Sequence, residues 1–511
     1  MKRALVLSVC AAALWAGACS SGGGTVTPPP PPTGFSNSDL QGQYAFSMTG
    51  TTADTSTGAV QPFTRVGSFI ADGKGNITNG AEDINIFQNG SNEFDFTGGT
   101  YTVNGDGRGT MSWTDSGVLQ TFSITLTSST NGYFVDMPAD GSSAGNGSFV
   151  KQNPGSFQIS GISGNYAFDF SGVDPSAAAE SVVGQLISNS GGGFSGFLDD
   201  NDGGTINSGA AGGAPFSGSY GVDGAHPGDL ATFGRGVFAI GPITGIFYIV
   251  GPNQVKFMET TSGGTLAGDS TSQSNIPTTA AGISGGFVYV MGGAGSGVPI
   301  TRGGKFSANA GALSSIIVDN NNAGQSISLT ASTGTYTIDP SGNGRGTVTF
   351  KVTGFTDSFD YVFYLISPTQ AVIQDQSLNI VEDGSMLAQG AGTITNASLA
   401  GSYAINWSGV TSTGAGTGEE DLVGATTMTN GTLTGTIDLN ESGALNTGVT
   451  LGGTLKLSAD PTGHNALTVN LATAAGAPIP AFAYVAANNT ILFATAQSTR
   501  IVAGVLTPQT P

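Results

Sequence analysis

Apolar residues recur at every second position in short runs along the chain, as at Phe122, Ile124 and Leu126 and again at Tyr361, Phe363 and Leu365. A period of two sends successive side chains to opposite faces, so each run predicts a strand of about 5–7 residues with one face toward a core. Between the runs stand Asp72-Gly73, Asp106-Gly107, Asp202-Gly203 and Asp383-Gly384, pairs that suit hairpins turning through positive φ. No stretch beyond the N-terminus carries the 3.6-residue apolar period of a helix.

One phrase returns four times: Gly42-Gln43-Tyr44-Ala45-Phe46, Gly164-Asn165-Tyr166-Ala167-Phe168, Gly285-Gly286-Phe287-Val288-Tyr289 and Gly401-Ser402-Tyr403-Ala404-Ile405. Its aromatic positions lie 122, 121 and 116 residues apart. Three more landmarks keep the same order and phase. Gly99-Thr100-Tyr101 is matched by Gly218-Ser219-Tyr220, Gly334-Thr335-Tyr336 and a weakened Gly453-Thr454-Leu455. An Asp-x-Asn triplet occurs at Asp83 and Asn85, Asp199 and Asn201, Asp319 and Asn321, and Asp438 and Asn440. A Gly-Arg-Gly follows at Arg108, Arg235 and Arg345, with Gly463-His464 in its place in the fourth copy.

Four landmarks in constant order define a repeat of about 120 residues, divided as 37–156, 157–278, 279–394 and 395–511. A chain of 511 residues is too long for one core in any case. Seven or eight strands per copy predict an all-β protein of four tandem antiparallel meanders, each closed into a small β-barrel that removes its own edges. An immunoglobulin-like β-sandwich is the alternative, although no copy has that fold's cysteine pair and core tryptophan. Independent barrels predict beads on a string.

Composition narrows the function. The 83 glycines and a charged fraction of only 9% fit short strands joined by tight turns, and 28 Phe and 12 Tyr set in alternating runs argue against disorder. The net charge is −20. Removing Lys2 and Arg3 with a leader takes the 14 basic residues to 12 against 34 acidic ones, which excludes the clustered cations that nucleic acid requires.

Lys2 and Arg3 precede an apolar run from Ala4 to Trp15, and Ala16-Gly17-Ala18 leads into Cys19, the layout of a secretory signal at 1–18. The run is too short to span a bilayer as a helix. With Cys10 discarded, Cys19 is the only cysteine left and forms no internal disulfide. A linker at 19–36 holds Ser20-Ser21-Gly22-Gly23-Gly24 and then Pro28 to Pro32, a flexible piece followed by a stiff one.

Ala16 to Cys19 resembles bacterial lipoprotein signals, in which a small residue precedes a cysteine that is acylated and becomes the mature N-terminus. It departs from them at Ala16, where Leu is commonest. The resemblance implies lipid attachment at Cys19, and Ser20 directly after it implies delivery to the outer membrane. The whole chain is similar to repeat-bearing bacterial envelope lipoproteins, which lends no activity. Each copy's opening Gly-x-Tyr and meander also resembles lipocalin-like (calycin) barrels, where a Gly-x-Trp on the first strand packs against a later Arg. That likeness implies that Tyr44, Tyr166, Phe287 and Tyr403 replace the Trp, and that Arg108, Arg235 and Arg345 pack across the rings.

Candidate chemistry is sparse. Asp-x-Asn places two polar side chains on one face of a strand, and in the second copy Asp199, Asp200, Asn201 and Asp202 are candidate oxygen ligands for Ca²⁺. The competing reading, that Asp and Asn set a local turn, is favoured because the copies agree only at two positions. Asn104 to Gly109 has a calcium-loop look but holds Arg108 where a ligand oxygen belongs. Gly141-Ser142-Ser143-Ala144-Gly145 and Gly282-Ile283-Ser284-Gly285-Gly286 have nucleophile-elbow spacing, without a following helix. His226 and His464 are the only histidines, so zinc and a histidine base are both poorly provided for.

The expectation is thus a non-enzymatic envelope lipoprotein without a cofactor, held to the membrane by its lipid anchor and serving as a binding, adhesion or structural module for a protein or glycan at the surface. An extracellular hydrolase or a small-ligand-carrying barrel, with its site in one divergent repeat, is the alternative.

Overall fold

The computed structural model describes residues 34–511 apart from 55–57, 210–211, 242, 262, 353–357, 391, 413–417, 459–463 and 473–477. Cys19, the leader, most of the linker and Gly463 lie outside the described residues. No helix among those described is long and apolar enough to cross a membrane.

The first repeat runs β1 (Gln41–Ala53), β2 (Val60–Asp72), β3 (Asn76–Ile86), β4 (Gly90–Phe96), β5 (Gly99–Val103), β6 (Arg108–Asp115), β7 (Val118–Ser128), β8 (Asn131–Asp136) and β9 (Ser143–Lys151). Every neighbour pairs antiparallel, and β1 pairs with both β2 and β9, which closes the sheet. Both β4 and β5 pair with β3, so together they form one stave broken at Thr97-Gly98. The result is an eight-staved barrel. The second repeat repeats this break between Thr205–Ser208 and Ala214–Gly221, whereas the third and fourth use single long strands, Gln325–Ile338 and Ala444–Lys456. The protein is therefore all-β, with four closed antiparallel barrels of eight staves.

Alternation explains the closure. Inward positions of the first repeat are Tyr44, Phe46, Phe69, Trp113, Phe122, Phe134 and Phe149, all buried in one cluster, and each other barrel has its own counterpart. The interiors are packed with their own aromatic and aliphatic side chains; the apolar cavity inside the second barrel measures about 40 Å³, far below the roughly 300 Å³ at which ligand pockets begin. One end of each barrel is stoppered by a buried aliphatic residue just before the first strand, Leu40, Ile162, Ile283 or Leu399. In three copies the second-phrase tyrosine holds that stopper. The Tyr101 hydroxyl donates to Leu40 O at 2.7 Å, Tyr220 to Ile162 O at 3.0 Å and Tyr336 to Ile283 O at 2.7 Å.

Two expectations are corrected here. Asp383-Gly384 is not a turn but lies within the strand Ile380–Ala388, because a side chain at Gly384 would strike Val290 O on the neighbouring strand and only glycine lets the strands approach. The barrels are also not beads on a string. Four further apolar clusters lie between barrels: Val66 with Tyr248 and Met258 joins the first to the second, Val183 with Tyr364 the second to the third, Val288 with Tyr484 the third to the fourth, and Val423 with Val135 the fourth back to the first. The four barrels close into a ring.

Candidate functional site

The seams of this ring use the residues that repeat. Asn85 of the first barrel donates from Nδ2 to Glu259 O at 2.8 Å and Gly264 O at 2.9 Å in the second. Asn201 does the same to Asp375 O and Ile380 O in the third, Asn321 to Thr495 O and Arg500 O in the fourth, and Asn440 to Asp136 O and Ser143 O in the first. One amide thus bridges at least two carbonyls across every seam, three in the case of Asn321. Buried carbonyls need such partners, which accounts for an Asn in all four copies.

The aspartates reach across the same seams. Arg235 grips Asp83 with two parallel bonds of 2.8 Å, and the Tyr248 hydroxyl donates to the same carboxylate at 2.8 Å. Arg345 and Tyr364 repeat this on Asp199 at 2.7–2.8 Å. On Asp319 the partners are Tyr484 and His464, whose Nδ1 lies 3.2 Å from Oδ2. At the closing seam Arg108 stands 3.8 Å from Asp438, and Tyr133 bonds Thr507 instead. Fork-on-carboxylate pairing is the strong form of this contact, and the third and closing seams both lack it. The arginines therefore do not pack across the Gly-x-Tyr rings of their own barrels. They leave the barrel wall for the neighbour, because the Asp one repeat earlier is buried and needs a cation. Tyr44, Tyr166 and Tyr403 stay inside, each hydroxyl donating to a backbone carbonyl near its barrel's end, and Phe287 is buried without that need.

This placement also bears on calcium. The carboxylate of Asp199 is taken by a guanidinium and a phenol, the oxygen of Asp200 accepts from Asn207 at 3.1 Å, Asn201 is spent on the seam, and Asp202 faces Asp174. These four do not converge on a shared point. Among the described residues, one group brings three metal-type ligands together, Glu93, His226 and Asp229. Arg235 already sits 2.6 Å from the Glu93 oxygen that His226 also meets at 2.6 Å, so a resident guanidinium fills it.

Two sets of seam residues escaped the sequence reading. Gln152, Gln273, Gln389 and Gln509 follow the last strand of each repeat and donate to backbone of the next barrel, for example Gln152 to Ile249 O at 2.7 Å and Gln509 to Leu126 O at 2.8 Å. Their spacing is that of the repeat, so alignment of the four copies would have found them. The other set occupies the third position after each opening aromatic: Ser47, Asp169, Val290 and Asn406. Ser47 accepts from Lys256 at 2.9 Å, Asn406 accepts from Asn146 at 2.5 Å, Val290 packs on the next barrel's apolar face, and Asp169 faces Asp383. Chemistry differs at each seam, so no single residue type marks the position.

On the ring axis lies a cavity of about 520 Å³ to which all four barrels contribute, through Gly50, Gly172, Gly293 and Gly409 at corresponding positions, with Glu180, Asp383 and Glu419 supplying carboxyls. Burial pushes Glu180 and Glu419 up to about 8 and Asp383 up to about 6. At neutral pH the two glutamates are thus largely protonated and can donate as well as accept hydrogen bonds. Among the described residues lining the cavity there is no histidine, cysteine or lysine to act as nucleophile or base.

No family model matches the sequence, and no curated protein does. Among solved structures, the isotype 1 transferrin-binding protein B of serogroup B Neisseria meningitidis matches at 9% identity, covering 75% of this chain and 82% of that one, with a TM-score of 0.21. A double mutant of transferrin-binding protein B from Haemophilus parasuis Hp5 matches at 8% identity over 76% and 85%, with a TM-score of 0.20. At such scores these likenesses carry no inference about this chain's activity.

Proposed function

We propose that this chain is a non-enzymatic lipoprotein of the cell envelope, a rigid four-barrel block tethered through a lipid on Cys19 and acting as a binding or structural module. The ring carries this reading. The repeated Asn, Asp and Gln side chains serve the seams between barrels, and the repeated tyrosines serve the barrel ends, so the recurrent polar chemistry builds a scaffold rather than a reaction centre. The leader, the lone Cys19 and the Gly/Pro tether support the address.

The test is metabolic labelling of expressing cells with a clickable fatty acid, followed by membrane fractionation. Wild-type chain takes up label and sediments with membranes. Cys19→Ala remains unlabelled and is released. Equal labelling of the two proteins would defeat the anchored reading. The ligand-carrying alternative draws support from one place, the open end of the first barrel.

A further inference from the structure

Barrels one and three carry an arginine at the same interior position. Arg65 pairs with Met48 across the first hairpin of its repeat, as Arg302 pairs with Met291. The corresponding residues of the other two barrels are Val182 and Leu422. In the third barrel Arg302 is ion-paired with two carboxyls, Nη1 meeting Asp375 and Nη2 lying 3.1 Å from Glu382, while its Nε has no hydrogen-bond partner. The first barrel keeps the counterpart of Asp375, which is Asp136, but replaces Glu382 by Gly145. Arg65 has accordingly lost that carboxylate and instead faces Glu82, which stands where the third barrel has Val318.

Its surroundings show the loss. Arg65 is 6% exposed, yet Nε and Nη1 have no hydrogen-bond partner. Nη2 donates to Gln120 at 3.2 Å, and Glu82 lies at 3.6 Å from Nε, beyond hydrogen-bonding range. The guanidinium lies against the rings of Phe63 and Phe122. Three carboxyls face this region. Burial pushes Glu82 up to about 8 and raises Asp136, while Asp115 adjoins Glu82 and accepts from Gln120. Asp136 bonds Ser143 through Oδ2 and leaves Oδ1 unpartnered.

The arginine lines a pocket of about 380 Å³ at one end of the first barrel, with Phe63, Ile84, Ile86, Val118 and Leu119 among its walls. Val118 and Leu119 are 58% and 62% exposed on the β6–β7 hairpin. A buried cation with unused donors is costly, and an apolar rim around it suits a ligand with one charged end and a hydrocarbon body.

We infer that the mouth of the first barrel binds an organic carboxylate with an apolar tail, its head meeting the unpartnered Nη1 of Arg65 where that side chain lines the pocket. This goes beyond the scaffold reading, since a ring held by its seams needs no ligand. It is also independent of it, because lipid labelling at Cys19 and binding at Arg65 can each fail alone.

The probe is octanoate, titrated calorimetrically into the purified chain, with octanol and acetate as controls. Octanoate binds saturably at one site per chain, and both controls bind at least about tenfold more weakly, as expected for loss of a charge-assisted contact or of the buried tail. Arg65→Met weakens octanoate by about 10- to 100-fold. Because Arg65 is buried and that variant can unfold the barrel, Leu119→Ser at the exposed rim provides the second arm and weakens octanoate several-fold with the unfolding midpoint unchanged. Octanol binding as tightly as octanoate, full binding by a folded Arg65→Met, or no saturable octanoate site would each overturn the inference.

Discussion

At the scale of single residues, the seam between the second and third barrels has an unusual pairing. Asp169 and Asp383 face each other, and burial raises both. The closing seam solves the same geometry with Asn406 and Asn146. In the unfolded chain both carboxyls titrate near the ordinary value of about 4, so between there and about 6 the native ring holds protons that the unfolded chain has released. Stability from this pair is present at the acid end of that window and declines as pH rises through it. Asp169→Asn supplies the missing hydrogen permanently. In urea unfolding we expect the variant to match wild type near pH 4 and to exceed it increasingly toward pH 8, because the asparagine has no charge to bury. A constant difference at both pH values would refute a carboxyl raised by burial at this seam.

At the scale of elements, the sixth position after each opening aromatic is glycine in all four copies, Gly50, Gly172, Gly293 and Gly409. Here the first strand runs so close to the last that an added Cβ would lie 2.0–2.2 Å from a carbonyl oxygen, Ala144 O, Thr265 O, Val381 O or Ile501 O. Gly172→Ala should therefore part the strands that close the second barrel. We expect a loss of about 1–3 kcal/mol, typical of overpacking, measured as a lowered urea midpoint with hydrogen exchange quickened along Ser163–Val173 and Ala267–Ser272. Unchanged exchange there would show that the strands slide instead.

Much at this scale was legible beforehand. Alternation at Phe122, Ile124 and Leu126 reports local geometry, and a meander pairs neighbours, so closure into barrels follows from the chain's own order. The partners of the repeated polar residues were not legible. Asp83 and Arg235 stand 152 residues apart in neighbouring repeats, and a repeated Asp looks the same whether it sets its own turn or serves a neighbour. The glutamines hid for a simpler reason, since one Gln after a strand carries no signal until four copies are laid together.

At the scale of the molecule, the ring couples barrels that the sequence presents as separate. Three seams join barrels that are consecutive in the chain, and short connections keep those faces at high effective concentration. The fourth joins the last barrel to the first and rests on noncovalent contacts alone: Asn440 on Asp136 and Ser143, Gln509 on Asp106 and Leu126, and a loose Arg108 to Asp438 pair. Removing matched donors at the two kinds of seam should separate local cost from ring closure. Asn201→Ala with Gln273→Ala, at the second seam, and Asn440→Ala with Gln509→Ala, at the fourth, each strand buried carbonyls at about 1–3 kcal/mol per lost donor. Both lower the unfolding midpoint. Only the fourth-seam pair lets the ring spring open, because no connection holds its faces together, and small-angle scattering should show a larger radius of gyration for that variant alone. Superimposable scattering from the wild type and both variants, with both midpoints lowered, would mean that the three remaining seams are stiff enough to hold an open ring in its closed shape.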